Sequence, residues 1–397
     1  MLSIIPIIIT ILVLPNCFSM NRQHFSARGQ RYSSILLFLF LAVACHNGRK
    51  ADEDTKVIDF GDGTKSEAIQ NHISKVTYLP LETNDSSMFA TVGKMLFRDG
   101  MIYVGDFISG KICVFDSQGK SVLVLNSRGR GSGEYVTINS FTVDDTCIDV
   151  MDLTQLKLLK YDKRSGRFVE SLDLTVFAYD IEALGNGDFI FCYAPLPGVR
   201  VLPIQQSEHR IFITDSKLNV KDRMVEYNSE KYDLFRGLRL FSTSDDRLSL
   251  LSFQDNGYYV FDKEDGRLLE KVHIAFSNPI PEVSKYDESA LNGGYSYIVS
   301  SPFFCGDYAS FMAKVGDGGG DYEYDFSRAK LLFNSPQVKG TFFFNIAGSH
   351  NGVFVGLITN WSATYDRLLE NGFQKADPAS EAAIRNDDPV LIFYTLK

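Results

Sequence analysis

One short unit recurs along this chain, and any fold has to accommodate it. Its clearest copy runs Asp99-Gly100-Met101-Ile102-Tyr103-Val104-Gly105-Asp106, then Lys111-Ile112-Cys113-Val114-Phe115-Asp116, then Gly119-Lys120-Ser121-Val122-Leu123-Val124. Each piece is a β-rich run bounded by turn residues, and Met95-Leu96-Phe97 ahead of it completes a four-stranded antiparallel meander. The strand ending in an aromatic residue or threonine and then Asp returns as LLKYD, IFITD, YYVFD and YEYD, closing at Asp162, Asp215, Asp262 and Asp325. From Asp116 onward the steps are 46, 53, 47 and 63 residues, and DSQGK, DKRSGR and DKEDGR repeat the turn that follows. The partner strand appears six times, as DGMIYVGD, DDTCIDVMD, GNGDFIFCY, DDRLSLLSF, CGDYASFMA and HNGVFVGLI. Six meanders of this period predict an all-β, six-bladed β-propeller, because each four-stranded sheet must bury both faces against its neighbours.

The propeller is expected over residues 73–397. The strand around Val76-Thr77-Tyr78-Leu79 is expected to join the blade that holds Val390 to Leu396, closing the ring and removing free sheet edges. Two stretches depart from the plain meander, residues 279–295 and 362–386, and read as short helical insertions.

The N-terminal region reads as an address. Residues 35–43 (ILLFLFLAV) have the length of a secretory apolar region, too short to span a bilayer comfortably, and Arg22, Arg28 and Arg31 precede them. Leu41-Ala42-Val43-Ala44-Cys45 resembles the bacterial lipobox, with Ala42 where leucine is usual. The better signal opens at Met20, which points to translation starting there. Residues 1–44 are therefore the expected signal region, Cys45 the lipidated residue, and residues 45–72 a polar tether with Asp52-Glu53-Asp54 near its start. Loss of the three arginines moves the formal charge from -9 to -12. So acidic a chain is a poor nucleic-acid binder, which needs a concentrated basic face.

Several residues now carry a resemblance. The DGMIYVGD…ICVFDSQGK unit is similar to the NHL repeat, and the whole layout resembles the six-bladed β-propeller lipoproteins of Bacteroidetes. Their inter-blade G-x-G-P-G-E-Y motif corresponds to Gly129-Arg130-Gly131-Ser132-Gly133-Glu134-Tyr135, with serine in place of proline, and their closing strand to Asp388-Pro389-Val390-Leu391-Ile392-Phe393-Tyr394. The resemblance implies an outer-membrane lipoprotein exposed at the cell surface, with a periplasm-facing placement as the alternative; it implies little about activity.

Chemistry leaves fainter traces. GRGSGEY is not a phosphate loop, since it fits neither GxGxxG nor GxxxxGK[ST] and lies between strands. Arg128, Arg130, Glu134 and Tyr135 are expected on the face formed by inter-blade loops and second-to-third-strand loops. Tyr232, Arg236 and Trp361, the single tryptophan, are expected to join them as ligand contacts. Arginines among aromatics suit an acidic glycan or a peptide carboxylate. No metal and no cofactor are expected: the histidines are scattered, with no HxH or HxxxH pair. The inner-strand positions Phe141, Leu184, Phe241 and Phe344 read as apolar, and Asp317-Gly-Gly-Gly-Asp321 reads as a flexible loop rather than a calcium clasp. No catalytic residue is assigned. Cys113, Cys147, Cys192 and Cys305 read as buried thiols, with their disulfide state open. Three functions stay in play: a surface propeller binding a glycan, peptide or protein without catalysis; a metal-dependent lyase, lactonase-like or glycan-active enzyme using the central channel; and a structural subunit of an outer-membrane assembly.

Overall fold

The structure is a computed structural model and describes residues 55–63, 65–193, 209–226, 240–285, 288–334, 346–357 and 361–397. The described chain opens with β1 (Thr55–Gly61), β2 (Glu67–Ala68), a 3-10 turn over Ile69–His72, and β3 (Ile73–Pro80). Blade 1 is β4 (Lys94–Arg98), β5 (Met101–Asp106), β6 (Lys111–Phe115) and β7 (Ser121–Leu125). Blade 2 is β8 (Ser140–Val143), β9 (Cys147–Asp152), β10 (Lys157–Asp162) and β11 (Phe168–Asp173). Blade 3 is β12 (Asp180–Ala183), β13 (Phe189–Cys192), β14 (His209–Thr214) and β15 (Val220–Glu226). Blade 4 is β16 (Phe241–Thr243), β17 (Arg247–Ser252), β18 (Gly257–Asp262) and β19 (Leu268–Phe276). Blade 5 has a split inner strand, β20 (Tyr297–Ile298) and β21 (Phe303–Cys305), then β22 (Tyr308–Val315), β23 (Gly318–Asp325) and β24 (Lys330–Asn334). Blade 6 is β25 (Ile346–His350), β26 (Val353–Leu357), β27 (Val390–Leu396) and, as its outer strand, β3.

Ring closure follows the expected route. β27 pairs antiparallel with β3 from Val390 opposite Pro80 to Leu396 opposite Ile73, so one blade draws strands from both ends of the domain. The insertion between β26 and β27 forms α1 (Trp361–Glu370) and α2 (Pro378–Arg385), and residues 279–295 hold two 3-10 turns, Glu282–Ser284 and Glu288–Asn292. Asp377 caps α2 by accepting from the amides of Ala379 and Ser380.

The hydrophobic logic is one core per blade interface. Strand side chains alternate between faces, so each blade feeds two cores. In blade 1, Tyr103 packs toward blade 2 beside Phe141 and Ile148, whereas Ile102 and Val104 pack toward blade 6 beside Val355 and Leu391. Leu368 of α1 and Ile384 of α2 complete the core between blades 5 and 6. Cys113, Cys192 and Cys305 are buried in these cores and Cys147 is buried beside them in β9, and the four form no disulfide among the described residues.

The recurring Asp is a turn cap. The Asp116 carboxylate accepts from the amides of Gln118 and Lys120, Asp162 from Ser165, Asp215 from Lys217 and Asn219, Asp262 from Glu264, and Asp325 from Arg328. A carboxylate that satisfies turn amides explains why Asp returns at that point of the repeat.

Two expectations are corrected. Thr55–Gly61, placed in the tether by the sequence, is a strand that pairs with β19, and Glu67–Ala68 pairs with β24. Gly318–Asp321, expected as a flexible loop, lies in β23, paired with β22 from Gly318 opposite Val315 to Asp321 opposite Met312.

Strands are lettered A to D from the axis outward. Alternating direction puts the AB and CD turns on one face of the ring and the BC turns and DA connections on the other.

Candidate functional site

The BC–DA face carries the Gly129–Tyr135 loop, which links β7 to β8. Tyr135 holds it down. Its side chain is 0% exposed, its hydroxyl donates to the Gly110 carbonyl (2.9 Å) in the BC turn of blade 1, and it accepts from the Ser127 amide (3.1 Å). Burial pushes the phenol up to about 12. Backbone bonds from Tyr135 to Ser127 (3.0 Å) and from Gly129 to Tyr135 (2.9 Å) close the loop on itself. The Glu134 carboxylate accepts from the Gly131 amide at 2.8 Å, and its carbonyl accepts from Gln155 of blade 2 at 2.8 Å. Gly133 has φ +76° with the Phe168 ring where a Cβ would lie, so only glycine passes there.

This geometry sorts the residues expected as ligand contacts. Arg128 and Arg130 are exposed, and neither forms an ion pair with a described residue; the Arg128 stem lies beside Gly110. Glu134 is half-buried and committed to the loop. Tyr135 is corrected: it is an internal peg and offers no surface. Trp361 opens α1 in the BC connection of blade 6. Tyr232 and Arg236 lie outside the described residues, as does Cys45.

The axis departs most from expectation. Phe141 is buried in one blade interface and Leu184 and Phe241 together in another, while Phe344 lies outside the described residues. The inner strands instead turn a charged cluster toward one another. Lys94 of β4 donates to Asp180 of β12 (2.8 Å) and to the Ile181 carbonyl (2.7 Å), and lies 2.7 Å from Glu182. Ser140 of β8 donates to Asp180 (2.6 Å), whose other oxygen accepts from the amides of Leu240 (2.8 Å) and Phe241 (2.9 Å) in blade 4. Thr142 and Thr243 donate to Glu182 at 3.2 and 2.7 Å. Lys94, Asp180 and Glu182 are at most 3% exposed. Burial works against the Lys94 cation, but Asp180 and Glu182 outweigh it and hold its pKa above the ordinary lysine value. Burial also opposes an ionised Asp180, and Lys94, Ser140 and the Phe241 amide outweigh it and hold it below the ordinary range. An amine whose protons are all committed is no nucleophile, and these carboxylates have no spare role as bases.

The AB–CD face has its own charges. Arg98 donates to the Val143 carbonyl and to Asp145, and Lys163 donates to Asp99 (2.6 Å). Lys263 donates to the Ser244 carbonyl (3.0 Å); burial pushes its pKa down, with Glu182 opposing. His350 stacks on Phe97 at 5.0 Å, its pKa lowered by burial with Asp245 opposing. In blade 2, Lys160 donates to Asp149 (2.5 Å) and Asp144 (2.8 Å). Burial pushes Asp149 up to about 7, while the Lys160 contact and turn amides overcome burial at Asp144 and hold it at about 2. Among the described residues no three His, Cys, Asp or Glu side chains are arranged to hold a metal ion, and no helix is long and apolar enough to cross a membrane.

A family model described as a six-bladed β-propeller, DUF5128, matches residues 46–302. The chain belongs to that family. Among solved structures, it is similar to a Bacteroides fragilis protein inferred to be exported, at 17% identity over 86% of this chain and 100% of that one, with a TM-score of 0.68. A Bacteroides vulgatus member of the DUF4221 family shares 11% identity over 83% of this chain and 99% of its own, with a TM-score of 0.46. An inactive Staphylococcus aureus virginiamycin B lyase solved with quinupristin shares 14% identity over 73% and 83%, with a TM-score of 0.41. The first likeness bears on the fold alone, and the other two carry no argument. No curated protein gives a significant match.

Proposed function

We propose that this propeller is a non-catalytic binding protein, held at the outer membrane by an acyl chain on Cys45, that takes an acid-bearing ligand on its BC–DA face. The observation that carries this reading is the pair Arg128 and Arg130: exposed, in no ion pair with a described residue, and mounted on a loop pegged at Tyr135 and Glu134. Cations on a rigid loop lose little entropy on binding, and guanidinium groups match carboxylates in a bidentate fork. The ligand class is an acidic glycan, a peptide carboxylate or an acidic patch on a partner protein. A channel enzyme is the weaker reading, because Lys94, Asp180 and Glu182 are committed to one another.

A glycan and peptide array probed with the intact chain and with an Arg128→Ala, Arg130→Ala variant tests the ligand face. Binding to acid-bearing probes that disappears in a variant of unchanged melting temperature is expected; retained binding defeats the assignment. For the anchor, Cys45→Ser should release the protein from the membrane fraction, and continued retention with unchanged mass would count against lipidation.

A further inference from the structure

Blade 1 breaks the repeat at one surface position. Its second strand ends in Asp106 and turns through Phe107, Ile108 and Ser109, where blade 2 has Asp152, Leu153, Thr154 and Gln155. Phe107 and Leu153 both pack against blade cores, so the next position of the turn is the one that meets water. Blade 2 places threonine there, and blade 1 places an isoleucine that is 73% exposed. Met88, in the connection that leads into β4, is 61% exposed. Among the described residues only Val283 is a large apolar side chain more exposed than these two.

Single apolar side chains on a surface mean little, but these two are mounted together. Asp106, 0% exposed, accepts from the Ser109 amide (3.1 Å) in the turn and from the Ala90 amide (2.8 Å) and Thr91 hydroxyl (2.8 Å) in the connection. Burial works against its ionised carboxyl, and these donors outweigh burial and hold the pKa below the ordinary range. Lys111, just past the turn, donates to the Ser86 carbonyl (2.9 Å) and to the Met88 carbonyl. The same turn supplies the Gly110 carbonyl gripped by the Tyr135 hydroxyl, with the Arg128 stem beside it. Three loops are thus fixed as one platform that presents Met88, Ile108, Arg128 and Arg130 to solvent. Of its carboxylates, Asp106 is buried, Glu134 accepts from the Gly131 amide, and Asp85 is exposed. Its phenylalanines turn inward, Phe89 onto Phe115 and Phe107 onto Phe141.

We infer that this platform binds a linear peptide segment of a partner protein in which aliphatic and acidic residues stand side by side. Ile108 and Met88 cover the aliphatic residue, and Arg128 and Arg130 take the carboxylate. The inference deepens the ligand face proposed above and rests on it. An acidic glycan would satisfy the arginines and leave both apolar side chains in water, whereas an aliphatic residue removes them from it. Methionine and arginine are enriched at protein interfaces, and the unbranched methionine chain adapts to the surface it meets. Loops already fixed to one another lose little freedom on binding.

The test selects phage-displayed random linear peptides on the intact chain and measures the selected sequences as synthetic peptides by fluorescence anisotropy. They should carry Asp or Glu beside Leu, Ile, Val or Met. Ile108→Thr, which copies blade 2, combined with Met88→Gln should weaken them by at least about tenfold at unchanged melting temperature, because burying one such side chain contributes on the order of one such factor. Both positions are exposed, so the fold is not at stake. Acidic peptides without aliphatic residues, or equal binding by the double variant, would overturn the apolar contact and leave the arginine face standing. Binding that survives Arg128→Ala with Arg130→Ala would overturn the arginine face and this inference with it. An absence of selected peptides would overturn the peptide class, whatever a glycan array binds. Dimerisation of the intact chain that Ile108→Thr abolishes would assign the platform to a second copy instead.

Discussion

Blades 1–4 are tied together at the hub, whereas blades 4–6 are tied at the rim. In the first group one lysine, Lys94, reaches Asp180 and Glu182 two blades away, and Asp180 continues to the amides of blade 4. Their outer strands β7, β11 and β15 end their sheets among the described residues, with Val122 and Val169 half exposed. In the second group the hub contacts are neutral, as where Ser242 donates to the Ser301 carbonyl (2.8 Å) and Ser244 accepts from the Phe304 amide (2.8 Å). Here the rim is covered instead: β1 lies on β19, β2 on β24, and Gln374 between α1 and α2 accepts from the Val76 amide of β3. The lesson is that a ring can be held by charge where its strands are otherwise bare, or by added backbone where its centre is neutral. Both devices limit the exposed edges and loose interfaces that invite misassembly.

The largest expected effect comes from opening the ring. Deleting Val390–Lys397 removes β27, leaves β3 without its partner, and should abolish cooperative unfolding of the whole domain; a truncated chain with unchanged melting would break the picture of shared closure. Next is Lys94→Met, which leaves Asp180 and Glu182 buried without a cation and should cost about 3–5 kcal/mol in guanidinium denaturation. Adding Asp180→Asn and Glu182→Gln should recover part of the loss. A cost below about 1 kcal/mol would mean the hub is not what ties blades 1–4.

A smaller pair of substitutions sharpens the contrast at the rim. Ile58 in β1 is 0% exposed, so Ile58→Ala should cost about 2–4 kcal/mol, whereas Val169→Ala on the bare edge of β11 should stay within about 0.5 kcal/mol. Equal costs would erase the distinction between covered and bare edges. The smallest effect is in pH dependence. Asp149 is raised to about 7 in the fold, so the folded state holds its proton after the unfolded chain has released it. Stability should therefore fall as pH rises from about 4 to about 7, and Asp149→Asn should flatten part of that slope. Glu323 in blade 5, raised well above its ordinary value by burial, slopes the same way and keeps the rest. A variant with an unchanged slope would argue that Asp149 is not the group titrating.

Much of this fold was legible because its repeat is written in turn chemistry. The Asp that closes each third strand accepts turn amides, so its recurrence marked the blades. Closure by Val390–Leu396 was legible on other grounds, from its likeness to the closing strand of the family it resembles and from the free edges an open ring would leave. The strap was not: Thr55–Gly61 follows an acidic polar stretch, and nothing local says that Ile58 and Phe60 bury against blades 4 and 5. The hub was missed because Lys94 stands 86 residues ahead of Asp180, which shares the short β12 with Glu182, and only the ring brings them together. In the ligand loop the glycines and arginines were readable, but Tyr135 was mistaken for surface because its role depends on a carbonyl of the neighbouring turn.

Hydrogen–deuterium exchange on the intact chain tests the division between hub and rim most directly. Outward amides of β19 opposite β1, and the Val76 amide of β3, should exchange slowly, whereas those of β7, β11 and β15 should exchange within the fastest class. Equal protection around all six outer strands would contradict the account.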